Sequence, residues 1–139
     1  MRRQSLFLLD TNMVSYIINR RSLAARARLS GLRPGMVTVS AVTEAELWYG
    51  VEHHRVGAKR RNAVRLLLDR LGVLPWGRRE AVVYGVFRAR QDAAGKALAP
   101  LDTMIAAHAI AAGAVLVSHD RAFQHAVGLP GLEDWATDI

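Results

Sequence analysis

Four acidic residues stand where an apolar run gives way to a turn or a helix, and carboxylates so placed can bind a cation. Asp10 directly follows the run Phe7–Leu9, and Asp120 closes the segment Val115–His119. Glu46 lies one turn into the helix expected after a second apolar run, and Asp102 opens the expected helix Thr103–Ala112. In an open parallel sheet the functional crevice lies beyond the carboxyl ends of the strands, so these four acids converge on one edge. Singly, each has a simpler reading. Asp10, Asp102 and Asp120 are placed to act as helix N-caps, and Thr43 with Glu46 spells a T-x-x-E capping box. Jointly those readings weaken, because four carboxylates at an apolar crevice repel one another unless a cation sits among them. The implied ion is hard and oxygen-seeking, Mg²⁺ or Mn²⁺, with Asp10, Glu46, Asp102 and Asp120 as its candidate ligands and as the candidate catalytic residues. An ion held this way activates water and stabilises the leaving oxygen of a phosphodiester.

Neighbouring groups are weighed against the same edge. Glu44 competes with Glu46, but residues two apart point to nearly opposite helix faces, so Glu44 is expected in solvent. His119 adjoins Asp120 and could reach substrate or metal, a turn or surface role being the simpler expectation. His108, set among alanines, reads as a satisfied core histidine, while His53 and His54 beside Arg55 read as surface. Trp48 is expected in the core. Tyr49 is left open between core packing and a partner groove.

The elements that must position these groups alternate. Apolar runs at Leu6–Leu9, Met36–Val39, Val73–Leu74, Ala114–Val117 and Leu132–Trp135 read as buried strands. Helical spacing covers Thr11–Arg20, Ser22–Leu32, Val42–Val51, Lys59–Leu71, Glu80–Ala94 and Thr103–Ala112. The last is apolar nearly all round, which predicts burial on more than one side. Strands alternating with helices imply right-handed crossovers, hence an α/β fold: a three-layer α/β/α sandwich on a mainly parallel sheet of four to five strands. Residues 1–139 read as one domain. The Gly31–Gly35 and Gly72–Gly77 segments are turns within it.

Composition narrows the function classes. The chain has 139 residues, no cysteine and a formal charge of +7, which excludes a disulfide scaffold, a thiolate metal site and a cysteine nucleophile. Of its 19 basic residues only Lys59 and Lys96 are lysine. Arginine suits bidentate phosphate recognition, and nucleic acid is the natural partner for such a surface. Arg2 and Arg3 precede an apolar run that Asp10 stops well short of a signal-peptide core, and Met104–Val117 is too short to span a bilayer. A cytoplasmic protein without membrane contact is expected. A phosphoacceptor domain of receiver type also clusters acids at strand ends, but neither lysine follows a late strand; no G-x-G-x-x-G or G-x-x-x-x-G-K-[ST] word supports nucleotide binding.

The words LLDTN (Leu8–Asn12), SAVTEAELWYG (Ser40–Gly50), APLDTMIAAHA (Ala99–Ala109) and VSHDRAF (Val117–Phe123) resemble, in order and spacing, the PIN-domain toxins of bacterial VapBC toxin–antitoxin modules. The resemblance runs from about Leu6 to Trp135. It implies a PIN-like fold and a Mg²⁺- or Mn²⁺-dependent endoribonuclease that attacks structured RNA such as tRNA and leaves a 5′-phosphate and a 3′-hydroxyl. It further implies a homodimer silenced by a cognate VapB-type antitoxin. By motif, Asp10, Glu46, Asp102 and Asp120 are the acids of that site, and Thr11 and Asn12 position the first Asp and the attacking water. Ala99 stands where many relatives have Gly, Gly77 where an Asp often follows the third strand, and Asp120 where Asn is frequent. Arg121, Arg88 and Arg90 are candidates to hold flanking phosphates. The alternative is a catalytically inactive PIN-like module that binds RNA or an antitoxin without cutting.

Overall fold

Short runs of Val, Leu and Phe with no polar alternation can be satisfied only by burial on both faces, and the chain uses them that way. The computed structural model describes residues 5–139; Arg2 and Arg3 lie outside the described residues. Five strands, β1 (Phe7–Leu9), β2 (Val37–Ser40), β3 (Val73–Leu74), β4 (Val115–Val117) and β5 (Gly131–Glu133), form one sheet in the order β3-β2-β1-β4-β5. Every pairing is parallel, with Leu9 in register between Val39 and Val117. Strand β1 is therefore central, and its end is the middle of the sheet's carboxyl edge.

The pleat sorts side chains into two cores. Phe7 and Leu9 pack with Met13, Val14, Leu47, Val51, Val64 and Leu68, whereas Leu8 packs with Leu116, Phe87, Ile105 and Phe123. Helices α1 (Thr11–Ile18), α2 (Leu23–Ser30), α3 (Ala41–His53) and α4 (Ala58–Leu71) supply the first core; α5 (Arg78–Ala93) and α6 (Pro100–Ala112) cover the other face. This is the expected α/β/α sandwich. The alanine-rich α6 is buried on several sides, as its composition predicted.

Boundaries moved where capping chemistry overrode periodicity. Helix α6 starts at Pro100 rather than Thr103, since proline suits the first helical position, where its missing N–H would be unpaired anyway. Gly113, at φ 64°, ends it in the left-handed conformation that glycine adopts without strain. Helix α5 starts at Arg78, two residues early, because Glu80 Oε1 accepts the Gly77 N–H at 2.8 Å, half of a capping box. Helix α3 is capped by Ser40, whose hydroxyl accepts the Val42 N–H at 3.0 Å, so the Thr43–Glu46 capping box does not form.

Buried polar groups tie the layers together. His108 meets the expectation of a satisfied core histidine: it is 2% exposed, and its Nδ1 lies 2.7 Å from Ser40 Oγ. Burial pushes its pKa down and holds the ring neutral. Gln91 donates to the carbonyls of Lys96 and His125 and accepts the Val127 N–H, pinning two loops to α5. Among the described residues no buried side-chain nitrogen or oxygen lacks a partner, and no helix is long and apolar enough to cross a membrane.

Candidate active site

Because β1, β2 and β4 end level with one another, the turns that follow them meet. Asp10 is the first residue past β1; its N–H donates to the Val117 carbonyl at 3.0 Å, fixing it in the floor of the edge. It is the N-cap of α1, with Oδ1 accepting the Met13 N–H at 2.8 Å. Its second oxygen, Oδ2, accepts the Ser118 hydroxyl at 2.5 Å. Only 4% of Asp10 is exposed. Desolvation pushes its pKa up from 3.8 to about 6, against the lowering effect of the Ser118 and Met13 hydrogen bonds and with the charges of Asp102 and Asp120 adding to the rise.

The other acids reach the same place by different routes. Asp102, half-buried, is the third residue of α6 rather than its cap. Its pKa is raised too, by burial first and then by Asp120 and Glu46, so all four carboxylates are linked by mutual repulsion. Asp120 is a cap, of the 3-10 turn Arg121–His125, with Oδ1 accepting the Ala122 N–H at 2.9 Å. Glu46 is aimed by Thr11, whose hydroxyl donates to its Oε1 at 2.6 Å, with Thr43 Oγ1 3.2 Å from the Thr11 oxygen. The N-cap reading thus holds for Asp10 and Asp120 and fails for Asp102.

Two hydroxyls orient the acids. Thr11, expected with Asn12 to help position Asp10 and the attacking water, donates its hydroxyl to Glu46. Ser118 holds Asp10, and its oxygen also accepts the Asp120 N–H at 3.0 Å, so one side chain links two acids. It lies inside the word VSHDRAF, where attention falls on Asp120. Asn12 is exposed, the second residue of α1. Glu44 departs from its expected place in solvent: it is half-buried and accepts the Trp48 indole N–H at 2.8 Å, because one helical turn brings residues i and i+4 together. Trp48 packs partly into the first core, while Tyr49 is 66% exposed and stacks on His53. Arg88 is engaged with the Tyr84 hydroxyl and Asp92, and Arg90 is exposed on α5.

The donor set is uniformly hard oxygen, which fits Mg²⁺ or Mn²⁺ and suits a thiolate- or imidazole-seeking ion poorly. Among the described residues, however, no three His, Asp or Glu groups are gathered closely enough to hold a metal.

Residues 7–129 match the sequence profile of the PIN domain. The chain belongs to the PIN-domain family. Within it the likeness is to VapC proteins: it is 35% identical to Ribonuclease VapC2 of Haemophilus influenzae over 93% of this chain and 97% of that one. It is 32% identical to the tRNA(fMet)-specific endonuclease VapC of Shigella flexneri, over 94% and 98% of the two chains. Among solved structures, a DNA-bound VapBC from Salmonella typhimurium superposes with a TM-score of 0.87 at 31% identity, covering 95% of this chain and 99% of that chain. This PIN domain is thus of the VapC type, with the fold that its strand and helix order predicted.

Support for Asp10 in this PIN domain can be tested directly. Ser118→Ala leaves a buried carboxylate oxygen without its donor, and an orienting hydrogen bond of that kind is worth about ten- to a hundredfold in metal affinity. If Asp10 is a metal ligand, as proposed below, the midpoint of a Mn²⁺ titration would move upward by about tenfold, and Ser118→Thr, which keeps the hydroxyl, would restore it. An unchanged midpoint in the alanine variant would show that Ser118 does not support the site.

Proposed function

We propose that this protein is the toxin of a type II toxin–antitoxin pair, a metal-dependent endoribonuclease that cuts structured RNA of the tRNA class in the cytoplasm. The observation that carries the reading is the buried carboxyl of Asp10 at the sheet edge, its pKa raised by burial and further by the charges of Asp102 and Asp120, in a chain whose curated relatives are named ribonucleases. Capping α1 accounts for one oxygen of Asp10 but not for the gathering of further acids around it, and buried carboxylates with raised pKa values concentrate at functional sites. Asp10, Glu46 and Asp102 would hold one Mg²⁺ or Mn²⁺, with Asp120 completing the set or helping to recruit a second ion. When bound, the ion supplies an activated water and neutralises charge on the phosphodiester.

The chain's own groups do the rest. Ser118 and the Met13 N–H fix both oxygens of Asp10, and Thr11 fixes Glu46, so two of the acids are oriented before any ligand arrives. Asn12, exposed beside Thr11, would orient the attacking water. Arg121 would hold a flanking phosphate, and in-line hydrolysis would leave a 5′-phosphate and a 3′-hydroxyl. A VapB-type antitoxin is the proposed partner, since the solved relatives are VapBC complexes. A groove of about 680 Å³ runs from Thr11 and Glu46 along Leu47 and Val51 to Arg60, apolar along its floor and basic at its far end. A second copy of the chain would cover the outward face of α5, where Val82 is 68% and Val86 49% exposed.

The deciding experiment incubates the purified protein with total tRNA in Mg²⁺, in Mn²⁺ and in EDTA. Discrete fragments in either metal and none in EDTA are expected. RNA that is bound but uncut under every condition would replace this reading with the inactive, binding-only module.

A further inference from the structure

A cavity of about 410 Å³ opens beside the acidic edge, walled by His119, Asp120, Arg121, Gln124, Leu132 and Asp134 together with Ser118. Its size lies within the roughly 300–1,000 Å³ typical of small-ligand sites. Of the four acids only Asp120 lines it, yet Ser118 joins it physically to Asp10.

The wall carries a preset acceptor and an available cation. Asp134 is clamped, with Oδ1 accepting the Ala136 N–H at 2.8 Å and Oδ2 2.7 Å from His119 Nδ1. The Tyr16 ring stands edge-on to the imidazole at 6.1 Å, so the His119 ring is held from two directions. With Nδ1 committed to the Asp134 carboxylate, Nε2 is the ring nitrogen left for a ligand, and the tautomer that donates from Nδ1 presents it as an acceptor. Among the described residues Nε2 has no hydrogen-bond partner, and Arg121 has no carboxylate partner.

Within a sugar–phosphate backbone the phosphate oxygens only accept, and the one hydrogen-bond donor is the ribose 2′-hydroxyl, which DNA lacks. We propose that this cavity is a nucleotide subsite in which Arg121 holds a phosphate and His119 Nε2 accepts the 2′-hydroxyl of the attached ribose. His119 is then the residue by which the protein tells RNA from DNA. The inference rests on the nuclease reading for the direction from which the strand arrives.

The test measures binding, so that it does not depend on cleavage. The Asp102→Asn protein is titrated into a fluorescein-labelled RNA stem-loop without uridine and into the DNA of identical sequence. RNA is expected to bind about fivefold more tightly, the worth of one net hydrogen bond. Adding His119→Ala brings that ratio to unity and leaves DNA affinity unchanged. Adding Arg121→Ala weakens both equally and lowers the salt dependence by about one phosphate contact. Equal affinities before any His119 change, or a ratio that survives His119→Ala, would overturn the subsite. Cleavage by the parent chain in Mn²⁺ is scored in parallel. A cutting enzyme with a His119-independent ratio loses the subsite and keeps the nuclease; a non-cutting protein with a His119-dependent ratio does the opposite.

Discussion

Asp102→Asn protein is expected to cut tRNA at least about a hundredfold more slowly than the parent chain while melting at the same temperature or slightly higher. The two halves of that expectation come from the same local facts. Asp102 is half-buried in the first turn of α6, and burial together with repulsion from Asp120 and Glu46 raises its pKa. Its charge is thus a burden on the fold, offset only by a favourable interaction with the helix N-terminus of about 0.3–1 kcal/mol. Asn keeps the shape and removes the burden. It also replaces a charged oxygen donor with a neutral one at a site whose proposed work is to hold a hard cation against phosphate. Single-turnover cleavage in Mn²⁺ beside a thermal melt separates the effects: full activity would remove Asp102 from the site, and a melting point many degrees lower would make the loss one of folding.

The layer order was legible because it rests on long-range consequences of short patterns. Unbroken apolar triplets such as Phe7–Leu9 and Val115–Val117 have no solvent face to offer, so a doubly covered parallel sheet is the one arrangement that buries them. Helix starts were less legible. Periodicity locates a stripe of apolar residues, but the first turn is decided by which group reaches back to an unpaired N–H, and that contest is local. Glu80 won it for α5, Ser40 for α3 and Pro100 for α6. The last shift turned Asp102 from a cap into a side chain free of local hydrogen bonding, which strengthens its candidacy as a ligand.

The acids themselves could be read from their places after strands, whereas the groups that aim them could not. A hydroxyl gives no sequence signal of its orientation. Thr11 precedes its carboxylate partner by 35 residues and Ser118 follows its own by 108, so both contacts exist only once the parallel register has set β1 between β2 and β4. Glu44 shows the same limit at short range, since the helix face separating it from Glu46 was predictable but the indole that draws it out of solvent was not.

Asp10→Asn protein is expected to be more stable than the parent chain near pH 8 by about 3 kcal/mol, with the gap closing as the pH falls to about 4. The folded-state pKa of Asp10, about 6, lies above its ordinary 3.8, so the folded protein holds this proton more tightly than the unfolded chain does. Stability from that preference is complete below the unfolded value and is lost as the pH rises through the folded one. Asn, never ionising, avoids the loss and remains a good N-cap for α1. A cation reverses the order. Mn²⁺ should raise the melting temperature of the parent, because an ion that binds only the folded state stabilises it by mass action, and should leave the variant where it was. Thermal melts of both proteins across pH, with and without Mn²⁺, read the whole pattern. A parent chain more stable than the variant at pH 8 without metal would refute the buried, repelled carboxyl. Equal Mn²⁺ shifts in the two proteins would remove Asp10 from the metal site.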